Sequence, residues 1–222
     1  NWDWTLNEKA SLSTVVYASI GRGGGTGTLG RGAFHSGLAP FGGGFTSTGL
    51  VNWDAIADYN ETISSGISSG SAGTVLRASA NNHLWYGTVT NFNFDTKKYF
   101  TFNVGADVRF YKGDHFQQLV NPLGLQGRDG SNTNRGTGYT VTKTYEANPW
   151  TALFNPAKEE DRIGYDNSEQ INYQGVFGQA EFKKDGFSAF IQGAASNQSY
   201  QKFDRWNYEG GESKWKVDNK LG

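Results

Sequence analysis

Apolar and polar positions alternate along much of this chain, most cleanly between Leu84 and Tyr111. From Phe100 the even positions read Phe100, Phe102, Val104, Ala106, Val108 and Phe110, and between them stand Thr101, Asn103, Gly105, Asp107, Arg109 and Tyr111. Period-two alternation marks a β-strand, because successive side chains leave opposite faces of the pleat. The run before it keeps the same parity, with Leu84, Tyr86, Thr88, Thr90, Phe92 and Phe94 facing one side and Trp85, Gly87, Val89, Asn91 and Asn93 the other. Asp95 to Lys98 fits a tight connection, which makes the unit a β-hairpin with two long arms.

Strands of ordinary domains stop at about five or six residues. A strand that crosses a membrane needs roughly 9–11, apolar outward and polar inward. Both arms reach that length. The pattern predicts Leu84, Phe92, Phe94, Phe100, Phe102, Val104, Val108 and Phe110 facing lipid, with Asp107, Arg109 and Tyr111 facing a hydrated lumen. A soluble sandwich with long strands is the competing reading.

The rest of the chain extends the theme. Trp2, Trp4 and Leu6 alternate with Asp3 and Thr5; Asn7 to Ala10 is a second polar turn; Leu12, Thr14, Val16, Ala18 and Ile20 share a face. Ala33 to Ala80 reads as a long Gly- and Ser-rich loop holding one short helix over Val51 to Ile63. Lys112 to Asp166 is a second long excursion. Ser168 to Phe182 and Phe187 to Phe203 then make a third hairpin around Lys183 to Gly186. There Ile171, Tyr173 and Phe177 share one parity and Val176, Ala180 and Phe182 the other, which predicts a bulge near Gly175 or Gly178. Trp206 to Gly222, with Trp215 isolated, reads as the start of a third loop.

The sum is strand, short turn, strand, long loop, repeated, with about six strands in all. Loops this long argue against a compact soluble domain and suit a barrel with one short-turn rim and one long-loop rim. Six strands leave open edges that hydrocarbon does not tolerate, so closure requires strands beyond those counted. The chain also begins at Asn1, without Met and inside an alternating pattern, which leads to the expectation of a piece of a larger polypeptide.

Composition changes the picture in a few places. Over 222 residues, hydrophobic types make up 36%, aromatics 15%, and glycine fills 31 positions, which suits one-faced strands and long loops better than a two-sided core. A net charge of −1 gives no electrostatic case for a nucleic-acid partner. Absence of cysteine removes a disulfide framework, a thiol nucleophile and thiolate metal sites.

Candidate chemistry is sparse. Gly25 to Gly30 has phosphate-loop spacing, but Arg31-Gly32 stands where Lys-Ser/Thr is required and no helix follows, so a Gly-rich strand end or close-packed loop is expected there. His35, His83 and His115 have no zinc spacing. Gly127 to Asn132 and Glu159-Glu160-Asp161 lack the ligand order of an EF-hand and read as solvated loop charge ahead of a calcium site. Nothing selects two carboxylates as a glycosidase pair. The expectation is therefore no enzyme, no cofactor and no metal. Trp53 and Trp150 are loop aromatics available for cargo or lid contact.

Four segments carry a resemblance. Val16 to Gly27 (VYASIGRGGGTG) resembles the glycine-rich segment of SusC/RagA-type TonB-linked outer-membrane proteins of Bacteroidetes. Asn82 to Gly87, Gly105 to Gly113 and Tyr173 to Phe182 are similar, in matching order, to later barrel strands of that family. The resemblance implies a roughly 22-stranded barrel with an N-terminal plug, of which residues 1–222 supply part of the wall but no plug and no TonB box. It also implies uptake of oligosaccharides or peptides with energy from the TonB complex, a SusD-like surface lipoprotein as lid, membership for some relatives in larger envelope assemblies, and an outer-membrane location. On that expectation the Asp95–Lys98 turn faces the periplasm and Lys112 rises into an outer loop. From another class, a soluble or surface-attached β-rich carbohydrate-binding or adhesin module would use the same aromatics to stack on sugars.

Overall fold

The computed structural model describes residues 1–70 and 72–221, with residues 149 and 211–221 described as backbone only. A seven-stranded antiparallel sheet dominates it. Its strands are β1 (Trp2–Asn7) and β2 (Ala10–Leu29), then β4 (Val75–Asp95) and β5 (Phe100–Asn121), then β8 (Arg162–Lys184), β9 (Phe187–Asp204) and β10 (Glu212–Leu221), each hydrogen-bonded to the next. A second, three-stranded sheet joins β3 (Ile67–Ser68), β6 (Gly127–Asp129) and β7 (Thr140–Val141). Two helices, α1 (Trp53–Glu61) and α2 (Pro149–Phe154), lie in the long connections.

The three tight turns fall where the polar clusters predict them. Asp185 and Gly186 both take positive φ, 48° and 81°, the two-residue hairpin turn whose twist matches its strands. At the Asp95 turn Lys97 has φ 61° and donates its N–H to Asp95 Oδ1 (2.7 Å).

The strands are longer than the alternation alone suggests, and they redraw several expected boundaries. β2 spans 20 residues and carries the glycine run in sheet as far as Leu29, paired with β4 through Leu29↔Val75. β4 therefore begins at Val75, inside the stretch expected to be loop, while β5 continues to Asn121 and β8 starts at Arg162. The reason is that loops cover both faces of the upper ends of β4, β5 and β8, so they are held as sheet without an alternating pattern, and the glycine run of β2 pairs with β4 beside them. The tail expected as a loop contains β10, a seventh strand; the side chain of Trp215 lies outside the described residues. The predicted bulge near Gly175 or Gly178 is absent, since β8 stays in register with both neighbours there and shifts only opposite Phe116/Gln117. Phe177 instead lies on the polar face over Gly105, where an added Cβ would stand 2.2 Å from its ring tip.

Cross-strand partners share a face, so the register sorts every residue. One face carries Trp4, Leu12, Val16 and Ile20, the Leu84 to Phe94 and Phe100 to Phe110 rows, Val176, Ala180, Phe182, Phe187 and Ile191. It is uncovered: Val16 is 74%, Val104 56% and Ile191 75% exposed. The other face carries Asp107, Arg109 and Tyr111 with Tyr17, His83, Trp85, Glu169 and Tyr173.

Among the described residues the buried cores lie at the upper end, on opposite faces. On the polar face Val75, Leu119 and Ile163 pack with Leu125 and Val141 from the small sheet. Asn60 of α1 ties that cap down, accepting from the Thr74 N–H (2.9 Å) and donating to the carbonyls of Thr74 and Leu123 (both 2.7 Å). On the apolar face Phe116 and Ala80 pack with Tyr145 and Ala157. The chain crosses from one face to the other beside β5, where the Tyr145 N–H donates to the Leu119 carbonyl (2.7 Å).

Candidate functional site

Strand β5 sets the site, because alternate residues of one strand place Asp107, Arg109 and Tyr111 in a column on the polar face. Arg109 folds back on Asp107, donating through Nε (2.9 Å) and Nη2, so the carboxylate is paired although the residue is only 8% exposed. The guanidinium sits 5.1 Å from the ring centroid of Tyr173 on β8. One step up, the Tyr111 hydroxyl donates to Glu169 Oε1 (3.2 Å) and accepts from the Nδ1–H tautomer of His83 (2.6 Å). Trp85 meets the Tyr111 ring edge-on at 5.4 Å. His115 completes the row, 3.6 Å from Glu169 through Nε2 and 2.7 Å from Asn81 Oδ1 through Nδ1.

The result is a wall rather than a catalytic constellation. Aromatic rings, one guanidinium, two imidazoles and carboxylates are spread over β4, β5 and β8, and each charge is matched by a neighbour. Glycines shape it: a Cβ at Gly87 would lie 2.5 Å from the Tyr17 hydroxyl, so the backbone there forms a slot that the ring fills. Among the described residues no three or more His, Asp or Glu side chains gather as a metal ion requires.

Sequence reading found the β5 column and missed its partners. Trp85 and His83 share the parity of the column across the hairpin and were recoverable from it. Glu169 and Tyr173 were not, because only the β5–β8 register, Arg109↔Tyr173 and Gly113↔Glu169, brings them in. The eight residues expected to face lipid do share the uncovered face. Leu84, Phe92, Phe100, Phe102 and Val104 are exposed, while Phe94, Val108 and Phe110 are half-covered by their neighbours.

The two loop tryptophans part company. Trp53 opens α1, in the excursion that caps the polar face, and is 44% exposed. Trp150 lies on α2, which follows Tyr145 onto the apolar face, so the structure does not bring it to the β5 column.

The loop acids hold the cap together. Hydrogen bonds from Ser131 keep the Asp129 carboxyl below its usual range, with Ser69 and nearby Arg128 adding to the effect against partial burial. Desolvation lowers the Arg128 guanidinium, which donates to Ser68 Oγ (2.6 Å). Asp166, 3% exposed, is clamped by Arg162 (2.7 Å) and Arg205 (2.8 Å). Lys143 pairs with Asp161 (3.3 Å), which also accepts from the Tyr145 hydroxyl.

What the fold and wall define is a long-stranded antiparallel sheet with one uncovered apolar face and one polar face capped by its own loops. Comparison with protein-family models, curated proteins and solved structures finds no match.

Proposed function

We propose that this chain is a wall segment of an outer-membrane β-barrel transporter of the SusC/RagA type. The observation that carries the reading is the shape of the uncovered apolar band. From Phe100 to Phe110 it covers about 34 Å of strand at ~3.4 Å per residue. At a strand tilt of ~40° that is about 26 Å of height, against about 25 Å for the apolar belt of such barrels.

The band is also inclined to the hydrogen-bonded rows. Its upper limit is Ile20 and Leu84 on β2 and β4, Phe110 on β5, and Val176 and Ala195 on β8 and β9, a descent of six residues over four strand steps. The short-turn rim descends with it. Ala10 closes the first hairpin in the row of Ala180, while β8 runs four residues further to Lys184 over three steps. Strands ~4.8 Å apart and tilted by ~40° slip by ~1.2 residues each against a membrane plane, which predicts about five residues over four steps. An exposed face on a soluble protein has no reason to carry an apolar band inclined in this way.

Above the band the apolar face turns polar, with Asn172 donating to Ser199 (3.4 Å), as expected on leaving hydrocarbon. The four segments that resemble the SusC/RagA family fall in β2, β4, β5 and β8. β1 and β10 end the sheet with free edges, which in hydrocarbon must be paired by further strands. In this reading Asp107, Arg109 and Tyr111 line the conduit for oligosaccharide or peptide cargo. A plug carried elsewhere couples to the TonB complex, and a SusD-like lipoprotein covers the loop rim.

Detergent dependence and face-specific charge test the proposal together. Phe102→Arg should impair membrane assembly, at roughly 2–4 kcal/mol near the midplane, and Asn103→Arg on the opposite face should be tolerated. Recovery of the protein in the aqueous phase without detergent, or equal effects of the two substitutions, would sink it. A soluble sugar-binding module would then be the better reading.

A further inference from the structure

We propose that α2 is a membrane-surface anchor, with Trp150 and Phe154 inserted among the headgroups of the outer leaflet. The inference rests on the membrane reading above and goes beyond it, because it assigns a loop segment, not a strand, to lipid.

The helix is short but held. Asn148 caps it, its Oδ1 accepting from the Trp150 N–H (2.9 Å), and its backbone carbonyl accepts from Ala152 (2.9 Å). Thr151 donates to Glu146 (3.2 Å), and on either side the buried Tyr145 and Ala157 fix the segment to Phe116 and Ala80. Ala152 and Pro156 line a cleft with Gly24, Ala78 and Ala80, so this side of α2 faces the sheet. At ~100° per residue, Trp150 and Phe154 fall together on the side opposite Ala152. Both are left open, at 77% and 84% exposure, while Thr151, Ala152 and Leu153 between them are half-buried. A rigid helix has thus been built that covers its small residues and displays its two largest apolar ones.

Position selects the occupant. α2 stands on the apolar face, the face of the Phe row, and not over the conduit. Gly24, beneath it, is four residues above Ile20, the top of the band on β2. Four residues at ~3.4 Å and ~40° tilt give about 10 Å of height. Headgroups add about 5–7 Å per leaflet beyond the hydrocarbon, so Gly24 stands about 3–5 Å above that layer, a gap that the exposed Trp150 and Phe154 side chains span by reaching down into it. Trp is the residue enriched there, with an apolar body and an N–H for the wet side. The stacked Tyr86–Phe110 pair, with centroids 5.2 Å apart, forms the next aromatic tier below on the same face.

Residues 1–222 contain no cysteine, so after replacement of any cysteine elsewhere in the polypeptide by serine, single nitroxide labels report without background. The protein is extracted from its envelope and reconstituted in phosphatidylethanolamine–phosphatidylglycerol vesicles. Labels at Trp150→Cys and, as a second variant, Phe154→Cys are compared with Val104→Cys in the band and Thr48→Cys in an exposed loop. Collisions with oxygen, which partitions into lipid, are measured against those with a water-soluble nickel chelate. The oxygen-to-nickel ratio at 150 and 154 is expected to be several-fold above that at 48 and below that at 104. Ratios at 150 and 154 equal to that at 48, with 104 still lipid-like, overturn the anchor and leave the barrel standing. So does a label at 150 shielded from both reagents, the mark of a protein partner. A water-like ratio at 104 overturns the membrane reading and the anchor with it.

Discussion

Gly105→Ala isolates one contact of the polar wall. A Cβ at Gly105 would fall 2.2 Å from Phe177 Cζ and 2.6 Å from the Thr90 carbonyl oxygen, so both the ring and the neighbouring backbone must give. Overpacking of this kind costs about 1–3 kcal/mol. Against it stands the entropy recovered when a strand glycine becomes alanine, about 0.5–1 kcal/mol. The expected net is a loss of up to about 2.5 kcal/mol. Gly193→Ala provides the matched control: its Cβ meets nothing within 4 Å, and only the entropic gain remains. Equilibrium unfolding by urea in detergent micelles should place the two variants on opposite sides of the parent. Phe177→Ala in the Gly105→Ala background removes the ring clash but not the one with Thr90. The double variant should therefore be less destabilised than the sum of the singles by about 0.5 kcal/mol or more. If Gly105→Ala matches Gly193→Ala, or the two single costs simply add, Phe177 does not lie across Gly105 and the face assignment of β8 is wrong.

Two further outcomes concern the cap. Asp166→Ala leaves Arg162 and Arg205 without their buried counter-charge and should cost about 3–5 kcal/mol, read as loss of amide protection at Tyr145 and along residues 157–162 before the main sheet opens. Because Asp129 is held below its usual range, its contribution is present above the unfolded pKa of about 3.9 and is lost as pH falls through the lower folded value. Proteolysis of the 123–141 segment should therefore accelerate below about pH 4 in the parent, and Asp129→Asn should flatten that dependence.

The sequence by itself determined the two-faced sheet. Period-two alternation is a local property, and in Trp2–Leu6, Leu12–Ile20, Leu84–Phe94 and Phe100–Phe110 it assigned the residues to the faces the register gives them. Polar clusters at Asn7–Ala10, Asp95–Lys98 and Lys183–Gly186 placed the turns, because positive φ and side-chain caps are read within four residues. The sites of failure share a cause. Where loops cover both faces of the sheet, at Val75–Asn82, Phe116–Asn121 and Arg162–Asp166, neither face must be apolar, and alternation disappears while pairing continues; in the glycine run of β2 there are few side chains to alternate at all. At Gly175 a shift of parity signalled a bulge, yet the strand stayed in register: Phe177 fills the hollow left by Gly105, 72 residues earlier in the chain, a contact invisible to local pattern. For the same reason the β5 column was legible, and its partners Glu169 and Tyr173 were not. Which side of the sheet Trp150 would take was decided only by the tertiary structure, at the crossing beside Leu119 where the Tyr145 N–H donates to the Leu119 carbonyl and the chain passes to the apolar face.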